Sequence, residues 1–233
     1  MNSAVNLIHN NRLFYRICLV LLVIMALFLC LFSRVDGFII LNSFHTQTLN
    51  SFFNSVTFLG DGLFTIIVSF LIIIFFKRHT KLALLLILAY LSSGIFAQLF
   101  KAIIHAPRPS LYFQLHNYKY YLDTFATSRV GFNSFPSGHS SSAFAMATVF
   151  SVYCNRNYVC YGFVFVAVLA GYSRIYLAHH FLIDVFVGAF LGIFFGSLSF
   201  IWVDKNWVKL VRYFTVKFNL NKNVQMSNSS FLN

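Results

Sequence analysis

The feature that most constrains this chain is its alternation of long apolar runs with short basic ones. Six apolar segments can be read: Ile17 to Phe32, Leu63 to Phe76, Leu82 to Phe100, Ser140 to Tyr153, Tyr158 to Tyr172 and Phe181 to Val203. Several fall short of the ~20 residues that cross a bilayer core, and neighbouring aromatic and small polar residues extend them. Only 9% of residues are charged, against roughly 25% in a soluble domain, while 59% are hydrophobic. The expected fold is therefore all-α, a polytopic membrane helical bundle of about six transmembrane helices. A single domain is expected over residues 1–218, followed by a polar, disordered tail over 219–233.

The net charge of +12 arises from 17 Lys and Arg against five Asp and no Glu. Such an excess can signal nucleic-acid binding, but in a membrane protein loop topology and anionic lipid account for it more economically, so no nucleic-acid partner is expected. Alternate crossing places Arg12, Arg16, Lys77, Arg78, Lys81, Arg156, Lys205, Lys209, Arg212, Lys217 and Lys222 on one side. Arg34, Lys101, Arg108, Lys119, Arg129 and Arg174 fall on the other. Positive charge concentrates on the cytoplasmic side, which predicts that both termini are cytoplasmic. The first apolar run follows Arg12 and Arg16 as a signal peptide's core would, yet it lacks a small-residue cleavage site and reads as a retained anchor. Cys18, Cys30, Cys154 and Cys160 show no metal-type spacing and read as free thiols.

Two outer segments stand out. Arg34 to Gly62 mixes apolar residues with Asn, Ser and Thr, which predicts an interfacial helix or, alternatively, a lipid-access surface. Ala102 to Phe135 is the longest polar stretch between spans, and long loops of this kind are often functional. In the last span Gly188, Gly192 and Gly196 share a helix face. That spacing predicts close packing within the chain, which favours a monomer, with a homodimer seam as the alternative.

Three polar clusters lie at ends of apolar segments, all on the predicted outer face. KAIIHAPRP closes the third segment with Lys101 and continues to Arg108; FPSGHS opens the fourth with Pro136, Ser137, Gly138 and His139; SRIYLAHHFLID joins the fifth and sixth through Arg174, His180 and Asp184. Charge at membrane depth is costly and usually paired or functional. His180 and Asp184 are four apart, so on a helix the carboxylate holds one imidazole nitrogen and leaves the other basic. Lys101, Arg108 and Arg174 supply strong donors, and the two Arg forks match phosphate geometry. The helix start at Ser137 and Gly138 adds backbone N–H donors, and His139 adds an acid.

For Ser137, capping competes with a nucleophilic role and is preferred, because no base is placed beside it by sequence. His179 stands five residues from Asp184 and reads as a supporting or interfacial residue. His105 and His116 read as solvated loop residues, and Asp61 as a turn or helix-start residue.

These residues resemble the signature of the type 2 phosphatidic acid phosphatase superfamily of membrane lipid phosphatases: Lys, six residues, Arg-Pro; Pro-Ser-Gly-His; Ser-Arg, five residues, His, three residues, Asp. Lys101, Arg108, Pro109, Pro136, Ser137, Gly138, His139, Ser173, Arg174, His180 and Asp184 fill it without departure. The resemblance implies that His180 attacks phosphorus, that Asp184 fixes its tautomer and that His139 protonates the leaving oxygen. It also implies that Lys101, Arg108, Arg174 and amides near Ser137 and Gly138 bind the phosphoryl oxygens, with no cofactor and no metal.

The expected partners are membrane lipids and a phosphorylated lipid substrate. Undecaprenyl diphosphate is the first candidate, ahead of lipid A 1-phosphate, phosphatidylglycerophosphate and phosphatidic acid. The expected location is the bacterial inner membrane, multi-pass, with the site facing the periplasm or cell exterior. An anion or lipid transporter is the non-enzyme alternative, and it requires polar residues along the spans, whose middles are instead mostly apolar. A vanadate-dependent oxidising enzyme is the third reading, disfavoured by the membrane setting.

Overall fold

A computed structural model describes residues 3–118 and 129–229, and all the regular structure it describes is helical. Two amino-terminal helices, α1 (Ser3–Asn10) and α2 (Arg12–Leu31), precede α3 (Arg34–Asn42) and α4 (Gln47–Val56). A 3₁₀ turn at Thr57–Gly60 leads into α5 (Gly62–Phe75), followed by α6 (Thr80–Ile104) and α7 (Pro109–Leu115). The chain closes with α8 (Gly138–Cys154), α9 (Asn157–Tyr176) and α10 (Leu182–Ser229). Each of the six apolar segments thus lies largely within one helix. α10 runs as helix through Ser229, and no Gly or Pro follows Gly196 to stop it.

Among the described residues, four helical stretches are long and apolar enough to cross a membrane: Arg12–Leu31, Lys77–Leu115, Asn157–Tyr176 and Leu182–Tyr213. A fifth arises if Gln47–Gly60 and Gly62–Phe75, bent by 58° at their junction, are taken as one broken span. The outward-facing Leu19, Val20, Ile24, Phe70, Ile73 and Phe75 are exposed on this bundle, as lipid contact requires.

The 17-residue α8 is the central helix. Its sequence is dominated by Ser, Ala and other small residues, and it is buried along nearly its whole length against α6, α9 and α10. Small side chains let these helices approach closely. The glycines of α10 complete that approach. A Cβ on Gly192 would lie 2.4 Å from the Ser141 carbonyl oxygen, and one on Gly188 would lie 2.5 Å from that of Ser137. The glycine face therefore packs on α8 of the same chain.

The segment before α5 forms two helices where one was expected. Phe38 of α3 packs between Phe113 and Phe181, and Phe53 of α4 packs on Tyr172 and Tyr176 of α9. These aromatic contacts brace the end of the bundle at which the three polar clusters meet.

Candidate active site

Tertiary packing brings the C-terminal ends of α6 and α9, the start of α8 and the turn before α10 to one cavity of about 260 Å³. Lys101, Arg108, Arg129, Gly138, His139, Arg174 and His180 line it, with Gly60, Gly62 and Tyr90 on another wall. No carboxylate is among its described lining residues.

His180 is placed by a tight turn after α9. Ala178 takes a left-handed conformation with φ 51°, and the N–H groups of His179 and His180 both donate to the Arg174 carbonyl, at 2.9 and 3.0 Å. A non-glycine residue with that φ is uncommon, and such backbone gathers at functional turns. Behind His180 lies Asp184, fully buried. Its Oδ2 is 3.4 Å from His180 Nδ1 and accepts the Phe181 N–H at 2.9 Å. Nε2 is then the ring nitrogen left for the cavity that His180 lines. Burial lowers the imidazole's pKa to about 4, against the opposing hydrogen bond and charge of Asp184, so the ring is neutral at physiological pH with a lone pair to offer.

Ser134, outside the expected site, completes this group. Its hydroxyl donates to Asp184 Oδ2 at 2.5 Å and sits 3.4 Å from His180 Nδ1. It is itself buried, and its N–H donates to the Ala106 carbonyl at 2.9 Å. The only sequence signal for it was its position two residues before PSGH, with nothing to distinguish it from other serines of the segment.

The helix start is arranged differently from the simplest expectation. Ser137 Oγ accepts the Ser140 N–H at 3.3 Å and the Ser140 hydroxyl at 2.9 Å, which makes Ser137 the cap of α8. Its own N–H donates to the Asp184 carbonyl at 2.9 Å, so this amide is not available to a ligand. The amides of Gly138 and His139 have no partner among the described residues and supply the N-terminal donor pair. A Cβ on Gly138 would come within 3.7 Å of Lys101 Nζ, so glycine there keeps open the space between helix start and ammonium.

The cations are held at graded depth. Arg174, 2% exposed, donates to the Thr57 hydroxyl and to Nδ1 of His179. Arg108 donates to the His179 carbonyl at 3.1 Å. His179 therefore orients two guanidinium groups and does not line the cavity. Gly131, with φ 137°, lets the loop turn so that its carbonyl accepts the Arg108 N–H at 2.9 Å. Lys101 and Arg108 are half-buried, and Arg129 is exposed.

Asp61 caps α5 by accepting the Leu63 N–H at 3.0 Å. His105 and His116 are exposed and outside the cavity lining. Lys119, counted among the outer charges, lies outside the described residues.

A second, largely apolar groove of about 480 Å³ runs beside the site. Phe28, Phe32, Phe38, Ile104, Phe135 and Phe181 line it, with Arg34 and Asp184 also in its wall. The structure therefore sets a neutral, carboxylate-backed histidine among cations and helix-start amides, at the end of a helical bundle able to reside in a membrane.

That arrangement defines a membrane protein built to handle a phosphate-like anion. The profile of the PAP2 superfamily matches residues 82–208, more than half of the chain, and the chain belongs to that superfamily. The crystal structure of Aquifex aeolicus LpxE is similar at 30% identity, with a TM-score of 0.61 over 71% of this chain and 93% of that one. An undecaprenyl-diphosphatase of Sulfolobus acidocaldarius is 27% identical over 196 residues, 81% of this chain and 91% of that protein. A lipid A 1-phosphatase of Porphyromonas gingivalis is 43% identical over 75 residues, 31% of this chain and 16% of that protein. The matched part of this chain spans less than half the length of the lipid A 1-phosphatases it resembles.

Proposed function

We propose that this protein is a lipid phosphatase that removes a phosphoryl group from a lipid monophosphate or diphosphate through a phosphohistidine at His180. The observation that carries the reading is the buried pair of His180 and Asp184, 3.4 Å apart, with His180 set in a cavity walled by Lys101, Arg108 and Arg174. Nε2 of His180 attacks phosphorus, while Asp184 holds the opposite nitrogen and stabilises the charge the ring acquires. The three cations and the amides of Gly138 and His139 stabilise the equatorial oxygens, usually the largest contribution to catalysis. His139 protonates the leaving oxygen, worth about 10²- to 10⁴-fold. Water then attacks the phosphohistidine, releasing phosphate and regenerating His180.

The adjoining apolar groove supports a lipid substrate, since it offers aromatic walls beside Asp184 to a hydrocarbon chain. In this reading α8 is a sixth crossing helix, both termini are cytoplasmic, and the site faces the periplasm or exterior across a bacterial inner membrane. Undecaprenyl diphosphate is the preferred substrate, supported by the length of the match to the undecaprenyl-diphosphatase. Lipid A 1-phosphate is the runner-up, supported by the matches to lipid A 1-phosphatases.

Purified protein in detergent and chelator is expected to release phosphate from such a lipid, and His180→Ala to abolish release. An unchanged rate in His180→Ala overturns the mechanism. A panel of undecaprenyl diphosphate, lipid A, phosphatidylglycerophosphate and phosphatidic acid, compared by kcat/KM, identifies the substrate.

A further inference from the structure

We infer that Arg129 is the specificity residue for a diphosphate, holding the inner phosphate at the cavity mouth; this rests on the phosphatase reading. The cavity carries four cations, yet the phosphoryl group under attack has three already assigned to it. Arg129 is the fourth, and it shares the cavity with Lys101, Arg108, Arg174 and His180. With no carboxylate among the described lining residues to neutralise it, the cavity carries one positive charge more than the phosphoryl cradle uses.

The depths of the four cations say where that extra charge acts. Arg174 is buried at the level of His180, Lys101 and Arg108 are half-buried, and Arg129 is exposed. The reacting phosphorus must reach His180 at the deep end, so whatever links it to the lipid points toward the exposed end. In a lipid diphosphate that link is the inner phosphate. In a monophosphate it is an uncharged alkyl oxygen, for which an exposed guanidinium has little use.

The hydrogen bonds divide the cations the same way. Arg174 is fixed by Thr57 and His179, and Arg108 by the His179 carbonyl. The Arg129 guanidinium has no hydrogen-bond partner among the described residues, while its backbone is tied down, its carbonyl accepting the Ser110 hydroxyl at 3.3 Å. An anchored backbone with an uncommitted planar fork suits bidentate capture of a phosphate.

The chemistry balances without a further reactant. The bond from His180 Nε2 to the terminal phosphorus forms as the bridging P–O bond breaks. The electron pair passes to the inner phosphate, which leaves as the lipid monophosphate. Arg129 stabilises the charge that grows there, and water discharges the phosphohistidine.

The test compares kcat/KM of wild-type, Arg129→Gln and Arg129→Lys proteins on a polyprenyl diphosphate and a polyprenyl monophosphate of the same chain length. The diphosphate-to-monophosphate ratio is expected to fall about tenfold or more in Arg129→Gln, the size of a lost charge-assisted contact, and to recover in part in Arg129→Lys. Inhibition by inorganic pyrophosphate relative to inorganic phosphate should fall in parallel. A ratio unchanged in Arg129→Gln overturns the assignment while His180-dependent release leaves the phosphatase reading standing. Wild-type protein that releases phosphate from neither lipid overturns both.

Discussion

Ser134 Oγ donates to Asp184 Oδ2 at 2.5 Å, and that same carboxylate oxygen lies 3.4 Å from His180 Nδ1. The hydroxyl and the imidazole converge on one oxygen, so the carboxylate that orients the histidine is itself oriented by a serine from the loop before α8. Partners placed behind a functional side chain in this way commonly matter 10- to 100-fold.

Ser134→Ala should therefore lower kcat by roughly tenfold with little change in KM, because Ser134 stands behind Asp184 and outside the cavity lining. Rapid-quench measurement of phosphohistidine formation checks this. Ser134→Thr, which retains the hydroxyl, should recover part of the rate if its methyl group is accommodated. A change confined to KM would contradict a positioning role.

The pH profile follows from the depressed His180 pKa. A histidine with a folded pKa of about 4 and an ordinary unfolded value near 6.5 binds fewer protons folded than unfolded between those values. Its contribution to stability is present above pH 6.5 and is lost as pH falls toward 4. The limb of kcat/KM due to protonation of His180 should accordingly appear near pH 4. A pH titration in detergent measures it, and a His180 limb at pH 6.5 would show the ring to be solvated.

Arg174→Lys should reduce kcat/KM by about 10²-fold or more despite keeping the charge. The guanidinium donates at once to Thr57 and to His179, and a lysine ammonium cannot reproduce that planar fork beside a bound phosphate. Steady-state kinetics check the loss, and circular dichroism confirms that the helices persist.

Gly192→Ala should destabilise the bundle by about 1–3 kcal/mol, because its Cβ would meet the Ser141 carbonyl at 2.4 Å and the Ala145 nitrogen at 2.7 Å. Thermal unfolding in detergent reports this as a lowered Tm. Light scattering should show the same mass for both proteins, since this face packs on α8 within one chain. A mass that drops by half would point instead to a dimer seam.

Much of the architecture was legible in the sequence because its signals are local. Apolar runs such as Leu82 to Phe100 must be helical and buried in lipid or protein, whatever surrounds them. Lys101, Arg108, His139, Arg174 and His180 stood at run ends in recognisable spacing, and packing brings all five to one cavity. Asp184 stood one helical turn from His180, and the two are in contact. The role of the Ser137 amide was not legible. Its acceptor is the carbonyl of Asp184, 47 residues away, and no local pattern encodes a hydrogen bond of that range. The places of Ser134 behind Asp184 and of Arg129, one of the outer charges, in the cavity were not legible for the same reason, both being polar residues of an irregular segment whose positions depend on distant contacts.

By itself, then, the sequence determined an all-helical, membrane-type chain and the inventory of phosphate chemistry it carries. Composition and spacing encode both directly. Only the tertiary structure decided which serine supports the carboxylate, which amides remain open, and how deep each cation sits. Those properties arise from small residues of α8 and α10 packing closely enough to draw separate loops together around one histidine.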